Sequence, residues 1–229
     1  MRNSCAGLVL AALCMPLMAA TATKSHVVTL GVVRKVPYQS SGVTTTASGD
    51  DAPTLKIRAL LIDGVQKEWT TGEAHDVTDR SFTVQRVMKL NDALAGEAAH
   101  WVWQPGPWLL VDRATGRVTA LHLPDFDPVV SQAVWFRDYA AYCGVNETVR
   151  AQSLVAVVAQ LGVRRPVVHR VLSKWDAGNH ATPACAQAVW MRTPMRVKMQ
   201  PTGGDAFEVA VEGNAAGLIE DNDDNTPQP

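Results

Sequence analysis

Apolar and polar side chains alternate along much of this chain, which predicts β-strands because successive side chains of a strand point to opposite faces of a sheet. Residues 55–63 (LKIRALLID) alternate in this way, and Asp63-Gly64 is typical of a tight turn. Residues 65–70 (VQKEWT) would then return as a second strand. Residues 81–90 (SFTVQRVMKL) also alternate, and we interpret them as a third strand, with a helix as the alternative.

Two further hairpins are predicted in the middle of the chain. Residues 108–112 (WLLVD) lead through the turn RATG into residues 117–123 (RVTALHL). Residues 131–136 (SQAVWF) lead through a tight turn into residues 139–144 (YAAYCG). Short connections between apolar segments favour antiparallel pairing of the strands on either side.

Residues 153–161 (SLVAVVAQL) are almost wholly apolar, so their periodicity fits either a buried helix or a buried strand. Their valines and the following Gly162 favour a strand, with which residues 166–172 (PVVHRVL) would pair. The same reasoning predicts the remaining strands, at 26–38, 187–192 and 195–200, with a last one at 207–213.

Many short strands, with no amphipathic helix longer than two turns, predict an all-β protein. Its antiparallel sheets would form a sandwich, a barrel or an open arrangement like a propeller blade. We expect one domain over residues 23–213. Within it, residues 39–54 are small and polar and predict a flexible loop, and residues 214–229 predict a disordered acidic tail.

The N-terminus has the features of a secretory signal peptide. Arg2 supplies a positive charge, and residues 6–18 are uncharged and mostly apolar. Ala20-Thr21-Ala22 then offers the small residues that a signal peptidase accepts. Residues 1–22 would be removed by cleavage after Ala22, which predicts a periplasmic or secreted protein.

A retained membrane anchor and a lipoprotein signal at Cys14 are the alternatives to a cleaved signal peptide. The apolar run is shorter than the roughly 20 residues that a membrane helix needs. Leu13 stands where a lipoprotein signal has a small residue. No later segment is long and apolar enough to predict a membrane span.

Export affects the interpretation of the cysteines and the charges. Cys5 and Cys14 would leave with the signal peptide, so Cys143 and Cys185 would remain. A disulfide is the simplest state of such a pair in an oxidising compartment, with two buried thiols or a metal pair as alternatives. The chain has 21 Lys+Arg against 22 Asp+Glu and no basic stripe, so nucleic acid is not an expected partner.

Up to about residue 200, the chain resembles a set of exported bacterial proteins to which no function is assigned. The segments that carry the resemblance are TGEAHDVTDRSF (71–82), WLLVDRATGRV (108–118) and WFRDYAAYCG (135–144). The resemblance implies export and a shared fold, and it implies no chemistry.

A weak internal repeat is also present. LLID at residues 60–63 recurs as LLVD at residues 109–112, and the hairpin over 108–121 resembles one found in β-propeller blades. A closed propeller needs several stacked copies, whereas only two imperfect ones occur here. A blade-like sheet in a smaller open fold is the simpler interpretation.

Two polar clusters could carry chemistry. His75, Asp76 and Asp79 are possible metal ligands, and the alternative is a turn in which Asp79 pairs with its neighbour Arg80. Asp125 and Asp127 lie close together in PDFDP and could act as an acid–base pair. The prolines on both sides favour a rigid turn instead.

A third cluster, at residues 137–142, combines a possible turn with two tyrosines. Arg137 and Asp138 suit the turn, while Tyr139 and Tyr142 are three residues apart and would point to opposite faces of a strand. Aromatic walls of a ligand site are one interpretation, and core packing next to a structural turn is the other.

Tryptophan is the most informative residue type, with seven copies against four phenylalanines. Trp101 and Trp103 fall on one face of a strand, but periodicity does not decide whether that face is exposed. Indoles on a sheet either bind flat ligands such as glycans or fill a core. The predicted binding residues are Trp101, Trp103, Trp108, Trp135 and Tyr139.

These patterns predict an exported β protein with a non-catalytic binding or envelope-associated role. Its partner would be a glycan, a peptide or an envelope protein, and no cofactor or metal is expected. Nucleophile-elbow, zinc-protease, phosphate-loop and dinucleotide-binding motifs are absent from the sequence. The alternative is a small hydrolase that uses Asp125 and Asp127, or the cluster at His75.

Overall fold

The computed structural model describes residues 25–38, 54–148, 151–181 and 183–212, and the backbone of 215–218. Every regular element in these ranges is a β-strand, so the all-β prediction is confirmed. The predicted signal peptide and nearly all of the predicted loop at 39–54 lie outside the described residues. Within the described part of the chain, no helix is long and apolar enough to cross a membrane.

The first sheet has seven strands and follows the predicted hairpins. It contains β1 (Val28–Leu30), β2 (Arg34–Pro37), β3 (Thr54–Ile62), β4 (Val65–Thr78), β5 (Ser81–Asn91), β6 (Trp101–Asp112) and β7 (Val118–Ala120). Strands β3 to β7 pair in chain order, each antiparallel to the next. Both β1 and β2 pair with β3, along different halves of it.

The segment 26–38, predicted as a single strand, forms two strands, β1 and β2. A side chain of β3 binds the backbone between them. The guanidinium group of Arg58 donates hydrogen bonds to the carbonyl oxygens of Leu30, at 2.9 Å, and Gly31, at 2.7 Å. These bonds hold the chain where β1 ends, before β2 begins at Arg34. The interpretation of this segment as one strand was therefore wrong.

The turn RATG closes the β6–β7 hairpin as predicted. The carboxylate of Asp112 accepts hydrogen bonds from the backbone N–H groups of Ala114, at 2.7 Å, and Thr115, at 3.0 Å. These bonds, the one from Thr115 first, hold the pKa of the Asp112 carboxyl below its ordinary value. Arg80 pairs with Asp112 at 3.6 Å, so Arg80 has its ion pair there and not with Asp79.

The second sheet has four strands in the order β11-β10-β9-β8. Its members are β8 (Val134–Phe136), β9 (Tyr139–Glu147), β10 (Gln152–Gln160) and β11 (Val168–Lys174). The apolar run at 153–161 is therefore a strand, and its predicted pairing with the next segment is confirmed. A strand that is apolar throughout requires that both faces of its sheet be covered.

The third sheet covers one of those faces. It consists of β12 (Val189–Met191), β13 (Arg196–Met199), β14 (Phe207–Glu212) and β15 (Ala215–Leu218). Its buried residues form one core with Tyr139, Ala141 and Cys143 of the second sheet. The predicted disulfide between Cys143 and Cys185 is present and links the two layers across this core.

The opposite face of the second sheet packs against the first sheet. Tyr142, Val155 and Val157 lie there in a core with Trp108 of β6 and Leu123 of the connecting segment. None of the three described sheets is closed into a barrel. The fold is therefore a set of packed antiparallel layers.

Strand β15 corrects the predicted C-terminal boundary. Residues 207–213 were expected to be the last strand, but Ala215–Leu218 pairs with β14 beyond them. This strand overlaps the predicted disordered tail, 214–229, at residues 215–218. Residues 219–229, which carry the acidic run, lie outside the described residues.

Candidate functional site

The five predicted binding residues do not form one surface. Trp108 and Tyr139 are buried, with exposed fractions of 8% and 5%. Trp135 is half-buried and packs edge-on against Trp108, with 5.3 Å between the ring centroids. Trp108 and Trp135 pack together because the β8–β9 hairpin lies over the face of β6 that carries Trp108. Tyr139 lies in the other core, between the second and third sheets.

His75 holds the same hairpin against the first sheet. Its ring stacks on Trp135, with 6.1 Å between centroids and 22° between the planes. Its Nε2 lies 2.8 Å from the carbonyl oxygen of Arg137, and because a carbonyl can only accept, Nε2 donates this hydrogen bond. His75 is thus part of the packing between two sheets.

The cluster predicted at His75 does not converge. Asp76 follows His75 on β4, so its side chain points to the opposite face of the sheet. There it forms an ion pair with Arg113. The backbone carbonyl of Asp79 faces the same arginine at 3.5 Å, in the turn between β4 and β5. Among the described residues, no group of three or more His, Cys, Asp or Glu side chains could hold a metal ion.

The cluster at 137–142 is a turn next to core positions. Arg137 adopts a left-handed conformation, with φ of 53°, between β8 and β9. The carboxylate of Asp138 accepts a hydrogen bond from Gln160 at 2.8 Å. Tyr139 and Tyr142 point into the two different cores, as the three-residue spacing predicted.

The remaining predicted residues lie on an exposed surface. Trp101 is 55% exposed and Trp103 is half-buried, both at the start of β6. We call this region the aromatic–cationic surface, and its members are Trp69, Trp101, Trp103, Arg34 and Lys89. The name reflects their contacts: two cations lie against two of the three indoles.

The strand registers place these side chains on one face of the first sheet. Lys89 lies opposite Trp103, and Asn91 lies opposite Trp101. Trp69 lies opposite Val87, which alternates with Lys89 and Asn91 along β5 and so shares their face. Cross-strand partners in an antiparallel sheet point to the same side, so all three indoles do as well.

Curvature of the sheet brings its first strands to the same place. A bridge between Tyr38 and Trp103 sets the end of β2 beside β6. Arg34 lies opposite Ile57 on β3, and its guanidinium group sits over Trp69 at 5.3 Å from the ring centroid. The ring of Trp69 in turn meets Trp103 edge-on, at 5.9 Å and 82°.

The aromatic–cationic surface has a buried apolar floor and a positive edge. Ile57 and Val87, on the same face, are almost fully buried. Lys89 Nζ lies 5.8 Å from the ring centroid of Trp101. In the described part of the chain, neither Lys89 nor Arg34 forms an ion pair with a carboxylate.

Sequence reasoning found Trp101 and Trp103 but missed the other three members. The period of two identifies residues that share a face within one strand, here β6. Arg34, Trp69 and Lys89 come from three other strands, and their position beside β6 depends on the strand registers. Aromatic and basic residues in neighbouring predicted strands were the only signal available.

Asp125 forms a second polar site, in the segment that crosses the second sheet. Its carboxylate accepts a hydrogen bond from Nδ2 of Asn146 at 2.9 Å and lies 2.7 Å from Nε2 of His169. Asp127 instead accepts the backbone N–H of Val129 at 2.8 Å, which is the structural turn that the sequence favoured. Both carboxylates are thus engaged in structural bonds.

The hydroxyl of Tyr142 lies beneath this segment and donates to the carbonyl oxygen of Pro124 at 2.6 Å. Burial, and to a lesser extent the charge of Asp125, raises the pKa of this phenol far above its ordinary value. Tyr142 therefore serves as a neutral hydrogen-bond donor in the core. The segment around Asp125 is fixed to the second sheet from below.

Comparisons with protein-family models, with curated proteins and with solved structures found no match. The resemblances to exported bacterial proteins and to a propeller blade therefore stay predictions.

Proposed function

We propose that this is an exported, non-catalytic protein that binds an acidic glycan at the aromatic–cationic surface. The observation that carries the proposal is the exposure of Trp101 beside Lys89. An indole that remains in water gains free energy when a ligand covers it, and exposed aromatic side chains are frequent at binding sites.

The electronic character of the surface favours a sugar over a purely apolar ligand. The face of an aromatic ring is negative, so it attracts the slightly positive C–H groups on the flat side of a sugar ring. Trp101 offers such a face, and Trp69 and Trp103 pack edge-on against each other on the same face of the sheet. A rigid sheet loses little conformational entropy when the ligand binds.

The charges favour an acidic sugar in particular. Arg34 and Lys89 lie against the indoles, and within the described chain no carboxylate neutralises them. A carboxylate or sulfate on the sugar would pair with them while the ring stacks. Arg86 differs, since it already pairs with Glu68 at 3.0 Å.

Two features support export as part of the proposal. Residues 1–22 have the pattern of a signal peptide, and the Cys143–Cys185 disulfide is typical of proteins in oxidising compartments. Expression of residues 1–229 in a bacterial host, followed by N-terminal sequencing of the exported product, tests this. We expect a mature chain that begins at Thr23, and an uncleaved chain in the cytoplasmic fraction would contradict export.

Glycan binding is tested by calorimetric titration of residues 23–229 with uronic-acid oligosaccharides and with neutral oligosaccharides of equal length. We expect the acidic ligands to bind more tightly than the neutral ones. Trp101→Ala should lower the affinity for the acidic ligands about tenfold or more. Lys89→Gln should reduce the preference for acidic ligands and its salt dependence. Val171→Ala, an exposed apolar position on β11, is the matched control and should change nothing.

The outcomes separate the parts of the proposal. Equal affinity for acidic and neutral glycans would contradict the charge argument alone. Binding that survives Trp101→Ala would place the ligand elsewhere on the protein. A surface that binds envelope proteins or peptides and no glycan would contradict the proposed ligand class.

A further inference from the structure

The outer edge of β7 is unpaired in the described part of the chain. Strand β7 ends the order of the first sheet and pairs only with β6. The N–H of Leu121 donates to the carbonyl oxygen of Trp108 at 2.8 Å, which fixes the phase of the ladder. In an antiparallel pair, bonded and non-bonded positions alternate. The N–H and C=O groups of Ala120 and His122 therefore point away from β6.

This edge opens into two adjoining cavities that share Leu121, His122 and Leu123. The first cavity has a volume of about 560 Å³ and is bounded on its far side by the turn between β10 and β11, including Leu161 and Val163. The second has a volume of about 500 Å³. Both volumes are large enough to receive a side chain of a bound ligand.

The two cavities differ in character. The first is lined mainly by apolar groups, with Ala159 and Leu161 opposite the strand edge. The second is lined by Asp125, Asp127 and Glu147 and, among the residues that the structure describes, by no lysine or arginine. An unpaired edge with apolar and acidic cavities beside it matches an extended chain that carries both apolar and basic side chains.

The acidic cavity retains capacity for a cation. Asp127 and Glu147 each use one carboxylate oxygen internally, in hydrogen bonds from the N–H of Val129 and from Gln152. Within the described residues, no basic side chain forms an ion pair with either of them. Asp125 differs, because it already pairs with His169.

We propose that the β7 edge binds an extended peptide by strand addition. The peptide's backbone would pair with the outward N–H and C=O groups of Ala120 and His122. One apolar side chain would enter the first cavity and one lysine or arginine the second. Main-chain bonds supply affinity in this mode of recognition, and side-chain cavities supply selectivity. The proposal uses no residue of the aromatic–cationic surface and does not depend on glycan binding.

The probe is a fluorescein-labelled peptide library measured by polarisation against residues 23–229. Its peptides place an apolar and a basic residue two or four positions apart, which are the spacings that share one face of an extended chain. We expect a subset to bind. Replacing the basic residue of these peptides by glutamine should lower their affinity about fivefold at low salt, with a smaller effect at high salt.

Backbone pairing is tested on both partners. N-methylation of successive peptide amides should abolish binding at alternate positions, because only every second amide faces the strand edge. Ala120→Pro removes the outward N–H without removing a bond to β6, and proline is tolerated at sheet edges. We expect Ala120→Pro to lower the affinity for the peptide about tenfold or more.

Glu147→Gln should reproduce the loss seen when the peptide lacks its basic residue, with about a fivefold weakening. Glu212→Gln, an exposed carboxylate on β14, is the matched control and should leave affinity unchanged. The proposal is overturned if no library peptide binds, or if binding shows no alternation on N-methylation. It is also overturned if the peptide's affinity is lost in Trp101→Ala and kept in Glu147→Gln.

Discussion

His75 stacks on Trp135 at 22° between the ring planes, and this contact joins the first sheet to the β8–β9 hairpin. The same imidazole donates to the carbonyl oxygen of Arg137. A histidine next to aspartates thus supports the fold at this position. The contact also explains why Trp135, which the sequence offered as a binding residue, lies largely beneath other groups.

Replacing His75 by alanine should destabilise the fold. The variant loses both the ring contact and the hydrogen bond to Arg137, and we expect the free energy of unfolding to fall by about 1–3 kcal/mol. Urea unfolding followed by circular dichroism measures this. His100→Ala, which removes an exposed histidine paired with Asp92, is the control, and an equal loss there would contradict the role given to His75.

Trp101 and Trp108 lie on the same strand and should respond in opposite ways to substitution. Trp108→Ala leaves a cavity in the core and should cost about 3–5 kcal/mol of stability. Trp101→Ala removes an exposed ring and should change stability by no more than about 0.5 kcal/mol. Iodide quenching of Trp101→Phe and Trp108→Phe gives a second measurement. The Trp101→Phe variant should lose much of the emission that iodide can quench. If this variant keeps that emission, the exposure of Trp101 is contradicted.

Reduction of the Cys143–Cys185 disulfide should lower stability by about 4 kcal/mol, the chain-entropy value for a loop of this length. Because both cysteines are buried, reduction should require partial unfolding. Denaturant unfolding of Cys143→Ala/Cys185→Ala, compared with the oxidised parent, measures the loss. A double variant as stable as its parent would show that the link between the second and third sheets adds nothing.

Gly144 allows the Asp125 segment to approach β9. A Cβ at this position would clash with the carbonyl oxygen of Asp125, which is backbone and cannot turn away. Gly144→Ala should therefore displace the segment and cost about 1–3 kcal/mol. Gly178→Ala, in an open loop with only one contact at 3.6 Å, is the control. Thermal unfolding of the two variants should separate them clearly.

The raised pKa of Tyr142 predicts a loss of stability in alkali. The folded protein keeps this phenol protonated where the unfolded chain, with the ordinary value of 10.0, releases the proton. The contribution of Tyr142 to the free energy of unfolding is therefore fully present below about pH 10, and it decreases as the pH rises above that value. Tyr142→Phe should flatten this alkaline decline, at a cost of about 1 kcal/mol at neutral pH from the lost bond to Pro124. An unchanged alkaline profile would contradict the prediction.

Much of the fold follows from local pattern. The alternation of residues 81–90 defines β5, and the apolar run at 153–161 defines β10, because strand geometry imposes a period of two and a sheet covered on both faces requires apolar residues throughout. The disulfide also follows from the sequence, since two cysteines remain after removal of the predicted signal peptide. None of these inferences needs knowledge of which strands are neighbours.

The candidate sites required the tertiary structure. Arg34 and Lys89 join Trp101 only through the registers of β2, β3, β4 and β5. Asp125 meets Asn146 and His169 across 21 and 44 residues of chain. Such contacts depend on how whole sheets pack, and no periodicity within one strand encodes them.

Trp101 and Trp108 show this limit within a single strand. The sequence by itself determined that each lies on a strand and that Trp101 shares a face with Trp103. The structure joins both residues in one strand, β6. Their exposed fractions, 55% and 8%, were decided elsewhere, by the β8–β9 hairpin that covers Trp108 and leaves Trp101 uncovered. Alternation is a local consequence of backbone geometry, whereas access to water depends on distant segments that pack against the strand.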